Sequence, residues 1–243
     1  MQDQNSTEFE EKARGTWVSP ATSRSCVGRV YRNVGNVPLL KMLDLARCGT
    51  VLDCGCGAGD NAQLLRCKGW NVTGITLSPA EKELASETCS AVWVHDLEKG
   101  LPSDLAGPFD LVVLSHILEH LRCPEVILSE LRRVLRPGGC IAVAVPNVLN
   151  WYQRVQFLVG RFEYAEQGIM DSTHVRFYTL SSARRLLESC GWEVFKEKAA
   201  GSILPWGKLR RIVPRVPEFI DAVACRIRPG LFGRQLLYVA RAK

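Results

Sequence analysis

Short apolar runs alternate along this chain with amphipathic stretches of about ten residues. Thr50–Cys54, Trp70–Ile75, Ala91–Val94, Leu111–Leu114 and Cys140–Val145 read as strands, and the unbroken runs read as strands buried on both faces. Helices are predicted between them, from about Asp60 to Cys67, from Pro79 to about Thr88, and over Glu125–Leu135. Ser78 and Pro79 suit the cap and first turn of the second, and Pro137-Gly138-Gly139 stops the third. Leu39, Leu40, Met42, Leu43 and Leu45 predict an earlier helix ending near Cys48-Gly49. A helix over Ser181–Ser189 closed by Gly191, a strand Trp192–Lys198 and a strand Gln235–Ala240 complete the pattern. Repeated strand–helix units imply a parallel sheet with helices on both faces.

Two segments break the alternation. Residues 148–179 hold Trp151, Tyr152, Phe157, Phe162, Tyr164, Phe177 and Tyr178 just past the carboxyl end of a strand, the rim where open α/β sheets bind ligands. An insertion this long is expected to act as a lid or acceptor wall, against the alternative of a packed helix and its support. Residues 1–33 are polar and are expected to form a mobile leader, with a short ordered piece near Val27 to Tyr31, which leaves 34–243 as one domain.

With 47% hydrophobic and 23% charged residues, the 243-residue chain has the balance of an ordinary folded protein. The net charge of +6 is uneven: 201–243 holds nine Lys or Arg against Glu218 and Asp221, or +7, leaving −1 on the first 200 residues. This basic arm, 201–234, is expected either to fold onto the core or to rest on an anionic membrane. No run approaches a membrane span, and no nucleic-acid partner is expected from a slightly acidic core. Ten cysteines beside an N-terminus without an apolar signal core suggest reduced, cytoplasmic thiols, most of them small core residues.

The chemistry concentrates at Val51–Gly59, an apolar strand ending in Asp53-Cys54 and running into a turn with Gly55, Gly57 and Gly59. Such a turn brings backbone against a ligand at a helix N-terminus, and dinucleotide-binding folds use one too. Asp60 then places negative charge where a diphosphate would sit, so the expected ligand is cationic or phosphate-free. In order and spacing, Asp53–Gly59, Gly74–Pro79, His95–Leu97, Phe109–Val112, Leu118–His120, Arg136–Gly139 and Val145–Asn147 resemble the class I S-adenosylmethionine-dependent methyltransferases. The resemblance implies a doubly wound, seven-stranded, mostly parallel α/β sheet whose last pair includes an antiparallel edge strand. S-adenosyl-L-methionine is the implied cofactor.

On that resemblance, Asp53 orders the turn and the methionine ammonium, Gly55 and Gly57 meet the methionine moiety, and Gly59 is counted among the cofactor-binding residues. At the end of the second strand the family usually places an acidic residue on the ribose; here Thr76, followed by Leu77, stands there, with Glu81 one helical turn further. Asp96 and Leu97 match the adenine contacts, and Ser115 closes the site from the fourth strand.

Methyl transfer needs alignment first, and a base when the nucleophile is a hydroxyl. His116, directly after a strand at the carboxyl rim, and His174, in a segment Asp171–Phe177 resembling that of methyltransferases associated with bacterial cell-surface glycan genes, are the candidate bases; each could instead be structural. His116, Glu119 and His120 would share a helix face suited to a divalent metal, yet Glu119-His120 also reads as a structural helix start, and no metal is assigned. O-methylation of a sugar or lipid-linked glycan is the first expectation, and of a quinone-like or other small aromatic the second. A nicotinamide-dependent oxidoreductase and a non-catalytic donor-binding module are the readings from other classes.

Overall fold

The structure is a computed structural model that describes residues 30, 34–43, 45, 48–203 and 215–243. Its core is a seven-stranded sheet of β1 (Thr50–Cys54), β2 (Asn71–Thr76), β3 (Ala91–Val94), β4 (Phe109–Ser115), β5 (Leu135–Pro146), β6 (Trp192–Ala200) and β7 (Gln235–Ala242), in the order β3-β2-β1-β4-β5-β7-β6. The helices are α1 (Val37–Leu40), α2 (Asp60–Arg66), α3 (Pro79–Ala85), α4 (Pro124–Val134), α5 (Trp151–Leu158), α6 (Leu180–Ser189), α7 (Arg215–Ile227) and α8 (Pro229–Phe232).

The period-two pattern of the strands divides the interior. Leu52, Val112, Leu114, Ile141 and Val143 face a cluster completed by Ile127, Leu128 and Leu131 of α4, with Leu187 and Trp192. Val51, Val72, Leu111, Val113 and Ala142 face the opposite cluster, with Leu39, Leu40, Ala62 and Leu65. Ile127, Leu128, Leu131 and Val134 form one stripe on α4, which is why that segment packs as a helix.

The strand order reverses between β1 and β4, which pair in parallel from Val51↔Leu111 to Cys54↔Leu114. Their carboxyl ends therefore open a crevice at the switch point. The glycine turn leaves one side of it, and Ser115-His116 leaves the other.

Three expectations change. The antiparallel strand is β7, paired with both β5 and β6, so it lies inside the sheet and β6 forms the edge. Burial on both sides explains this: Leu236, Leu237, Tyr238, Val239 and Ala240 are all buried, too apolar a run for an exposed edge. The first helix is one turn long, capped by Asn36, and Met42 reaches the core from the turn that follows. Ser78 sits at the N-cap of α3 but makes no capping hydrogen bond. Of nine described cysteines, Cys54, Cys56, Cys89 and Cys225 are buried and Cys140 and Cys190 pack against the core, while Cys48, Cys67 and Cys123 are exposed, so the core role expected for most of them holds among the described residues. The expected leader lies outside the described residues apart from Val30, as do 204–214 of the basic arm.

Candidate active site

Gly55, Gly57 and Gly59 carry φ values of +74°, +52° and +89°. A side chain there would add about 1 to 2 kcal/mol of strain per residue. Gly55 and Cys56 donate their N–H groups to the Ile75 carbonyl at 2.8 and 2.9 Å, which folds the turn back over β2. A Cβ on Gly55 would fall 1.9 Å from Ile117 Cδ1, and one on Gly59 2.4 Å from Thr88 Oγ1.

Asp53 beneath the turn is fully buried, and neither carboxylate oxygen has a hydrogen-bond partner among the described residues. Burial pushes its pKa up to about 7; Asn61 opposes the shift and the Asp60 charge adds to it. At the end of β2, the Thr76 hydroxyl donates to Glu81 Oε2 and accepts from the Ser78 N–H at 3.3 Å. Thr76 and Glu81 are buried, whereas Leu77 between them is exposed. Asp96 Oδ1 accepts from the Glu98 N–H at 3.0 Å, capping a short turn at Leu97–Lys99 in which Leu97 is buried.

Across the crevice, His116 is the one non-glycine residue with positive φ (+58°) among the described residues. Its N–H donates to the Ala144 carbonyl at 2.9 Å. Its Nδ1 faces Glu119 Oε1 at 3.2 Å and its Nε2 faces Gln235 Oε1 at 3.1 Å. Asn36 Nδ2 donates to the same Gln235 oxygen at 2.9 Å and to Ser115 Oγ at 3.0 Å. Burial pulls the His116 pKa down, but 41% of the side chain is exposed, and the hydrogen bond and charge of Glu119, with the bond to Gln235, raise it above the ordinary value. His116, Gln235, Pro146, Ile169 and Arg234 line a cavity of about 200 Å³.

A buried carboxylate under a glycine turn, a Thr–Glu pair and a polarised histidine thus stand at the carboxyl ends of the neighbouring strands β1, β2 and β4. Residues 33–197 match the model of the family described as the methyltransferase domain. The chain belongs to that family. Over 155 residues it is 30% identical to a ubiquinone biosynthesis O-methyltransferase of Chromobacterium violaceum, covering 58% of this chain and 63% of that one. Over 184 residues it is 38% identical to a 2-methyl-6-phytyl-1,4-hydroquinone methyltransferase of Synechocystis, covering 72% and 53%. The chain thus spans 63% and 53% of the length of these two relatives, respectively. In fold it is similar to a SAM-dependent methyltransferase from Archaeoglobus fulgidus (TM-score 0.57, 20% identity, 81% of this chain and 87% of that one). It is also similar to the [4+2]-cyclase SpnF (TM-score 0.54, 19% identity, 84% and 78%), so the fold of the methyltransferase domain does not by itself fix the reaction.

The methyltransferase domain places the residues expected to bind the donor at or just past the carboxyl ends of β1, β2, β3 and β4 but separates the two candidate bases. His174 is buried, its Nδ1 3.0 Å from the Ile169 carbonyl and its ring edge-on to His120 with centroids 4.8 Å apart. It does not line the cavity beside His116. The shared helix face expected for His116, Glu119 and His120 does not form, because Leu118–His120 is a single tight turn entered through the left-handed His116. Glu119 joins His116 on one side, and His120 turns towards His174.

The aromatic segment is part helix and part packed cluster. Phe157 stacks on Phe162 at 5.5 Å, and Phe162 meets Tyr164 and Phe177 edge-on. Its return segment is tied down where Val175 and Arg176 donate to the Glu119 carbonyl at 2.9 and 3.1 Å.

Proposed function

We propose that this chain transfers the methyl group of S-adenosylmethionine to a hydroxyl of a quinol-like aromatic acceptor. Bound at the glycine turn, the donor would supply an electrophilic sulfonium methyl. The residues present fit it: Asp53 offers an unpartnered buried carboxylate for the ammonium, the glycines admit backbone contact, and Thr76 with Glu81 offers a donor and acceptors for the ribose hydroxyls. Asp96 retains an acceptor oxygen beyond its capping bond, which would serve an adenine amino group.

The observation that carries the acceptor side is the placement of His116 in the lining of the cavity, held by Glu119. With Nδ1–H directed at Glu119 Oε1, the neutral ring presents Nε2 to an acceptor hydroxyl that displaces the Gln235 oxygen. The proton moves from that hydroxyl to Nε2, and the Glu119 carboxylate stabilises the imidazolium that forms. Ile169, Pro146 and Ala200 give the cavity an apolar side opposite the polar His116, Arg234 and Gln235, which suits a ring that carries a hydroxyl. One named relative is an O-methyltransferase of ubiquinone biosynthesis and the other a methyltransferase of a phytyl hydroquinone, which supports the same choice. The glycan expectation rested on the resemblance of residues 146–180, within which Asp171 and His174 are buried in local hydrogen bonds and do not line the cavity.

Attachment to a membrane belongs to this proposal. Val216, Phe219, Ile220, Val223 and Ile227 share the outer face of α7, with Phe219 70% and Ile227 67% exposed, and Arg215, Arg226 and Arg228 flank them. An apolar stripe turned outward among arginines suits an anionic bilayer that carries a lipid quinol. Incubation with labelled donor and either a short-chain hydroxyquinol or a sugar nucleotide tests the acceptor: label on the phenolic oxygen is expected. Transfer only to the sugar would overturn it.

A further inference from the structure

Cys56 in the glycine turn and Cys89 beyond α3 bring their sulfurs to the same point, beside Gly74 of β2. A Cβ on Gly74 would fall 2.6 Å from Cys56 Sγ and 3.2 Å from Cys89 Sγ, so the missing side chain is the space in which the two sulfurs meet. We propose that this pair is a peroxide-reactive dithiol whose disulfide weakens binding of the methyl donor at the glycine turn. The proposal rests on donor binding at that turn and not on the acceptor.

The two thiols are placed for different roles. Cys89 lines a second cavity, of about 480 Å³, at the amino end of β2, where Arg66, Asn71, Glu87 and Ser90 make the lining polar enough for a small hydrophilic oxidant. Cys56 does not line it and is 5% exposed. The Cys56 thiol donates to the Cys89 sulfur, and that bond holds the Cys89 thiol below its ordinary range; burial and the Asp53 charge oppose the shift, and the Thr88 side chain adds to it. The same bond, with burial, pushes the Cys56 thiol up, so Cys56 keeps its proton. A thiolate that opens on a cavity, beside a sheltered and protonated thiol, is the arrangement of a peroxide-sensitive cysteine and its resolving partner.

The Cys89 thiolate attacks one oxygen of hydrogen peroxide, the O–O bond breaks, and Cys89 becomes a sulfenic acid as hydroxide leaves. The Cys56 sulfur then attacks the Cys89 sulfur: the S–S bond forms, the S–O bond breaks, and the hydroxyl departs as water with the Cys56 proton. Two electrons pass from the thiols to the peroxide, which ends as two waters.

Closure reaches the donor site through the backbone, because bonded sulfurs stand about 2.05 Å apart. Cys56 is held in the turn on both sides: its N–H donates to the Ile75 carbonyl at 2.9 Å, and its carbonyl accepts from the Gly59 N–H at 2.9 Å. Drawing its side chain towards Cys89 therefore moves the segment that carries Gly55, Gly57 and Gly59. Thr88, next to Cys89, packs against Gly59, so a shift of Cys89 presses on the turn from that side too.

The full chain, reduced and then exposed to a few equivalents of hydrogen peroxide, is alkylated, digested without reductant and mapped by mass. A linked pair of peptides carrying Cys56 and Cys89 is expected. Calorimetry should show donor affinity lower by roughly tenfold or more, and recovered with dithiothreitol. Cys89→Ser should bind the donor like the reduced parent and keep that affinity after peroxide, which separates the pair from the exposed Cys48, Cys67 and Cys123. No Cys56–Cys89 link, a link that leaves donor affinity unchanged, or an equal loss in Cys89→Ser would overturn the proposal. A reduced parent that binds no donor would overturn the donor's placement and the coupling with it, while the mapped link would still report the dithiol.

Discussion

Ile117 Cδ1 occupies the space that a Cβ on Gly55 would need, 1.9 Å from it. The residue after His116 thus packs onto the turn after Asp53, and the two sides of the crevice are one packed unit. Gly55→Ala would combine left-handed strain of about 1 to 2 kcal/mol with overpacking of about 1 to 3 kcal/mol. A lower melting temperature and a loss of donor affinity are expected, and adding Ile117→Ala should restore part of the melting temperature. Calorimetry and thermal melts that show Gly55→Ala indistinguishable from the parent would contradict this packing.

The buried Asp53 carboxyl makes the ligand-free protein sensitive to pH. Its pKa rises from 3.8 unfolded to about 7 folded, so the folded state holds a proton that the unfolded state releases. Stability is full below pH 4, falls as pH climbs towards 7, and ends about 4 kcal/mol lower, at about 1.4 kcal/mol per pH unit. Asp53→Asn should abolish that slope and stabilise the ligand-free chain at pH 8 while weakening donor binding. Denaturant titrations across pH 4–8 check the sign; a stability that rises over this range in the parent and not in the variant would refute it.

The strand runs and the glycine turn were legible in the sequence because they depend on local periodicity and on backbone demands that only glycine meets. So were Thr76 and Glu81, five residues apart. The partners of His116 were not: Gln235 lies 119 residues away, and Asn36 reaches Gln235 across 199. No local pattern signals such contacts, which exist because β7 inserts beside β5 and α1 packs on the sheet. The His120–His174 pairing was hidden for the same reason, and the helical spacing that linked His120 to His116 fails because the chain leaves β4 through a left-handed residue.

His116→Ala should lower kcat by roughly a hundredfold or more with donor affinity nearly unchanged. In the parent, activity should rise with pH through a midpoint above 6.5, because the base works in its neutral form and its surroundings favour the charged one. Gln235→Leu removes one of the bonds that raise the pKa, so its acid limb should move to lower pH. A limb that stays fixed in Gln235→Leu, or survives unchanged in His116→Ala, would assign the titration to another group.

The outward stripe of α7 sets the last test, since burying Phe219 and Ile227 in a bilayer contributes about 1.5 to 3 kcal/mol for each large side chain removed from water. Each of the neighbouring arginines adds about 1 kcal/mol at an anionic surface. The chain is expected to pellet with anionic vesicles at low salt, to release as salt rises, and to stay in solution with neutral vesicles. Phe219→Ser with Ile227→Ser should shift the protein to the supernatant at any salt without changing its melting temperature, because both side chains already face solvent. Equal recovery of parent and double variant from anionic vesicles would show that α7 does not touch the membrane and that the quinol must reach the cavity through water.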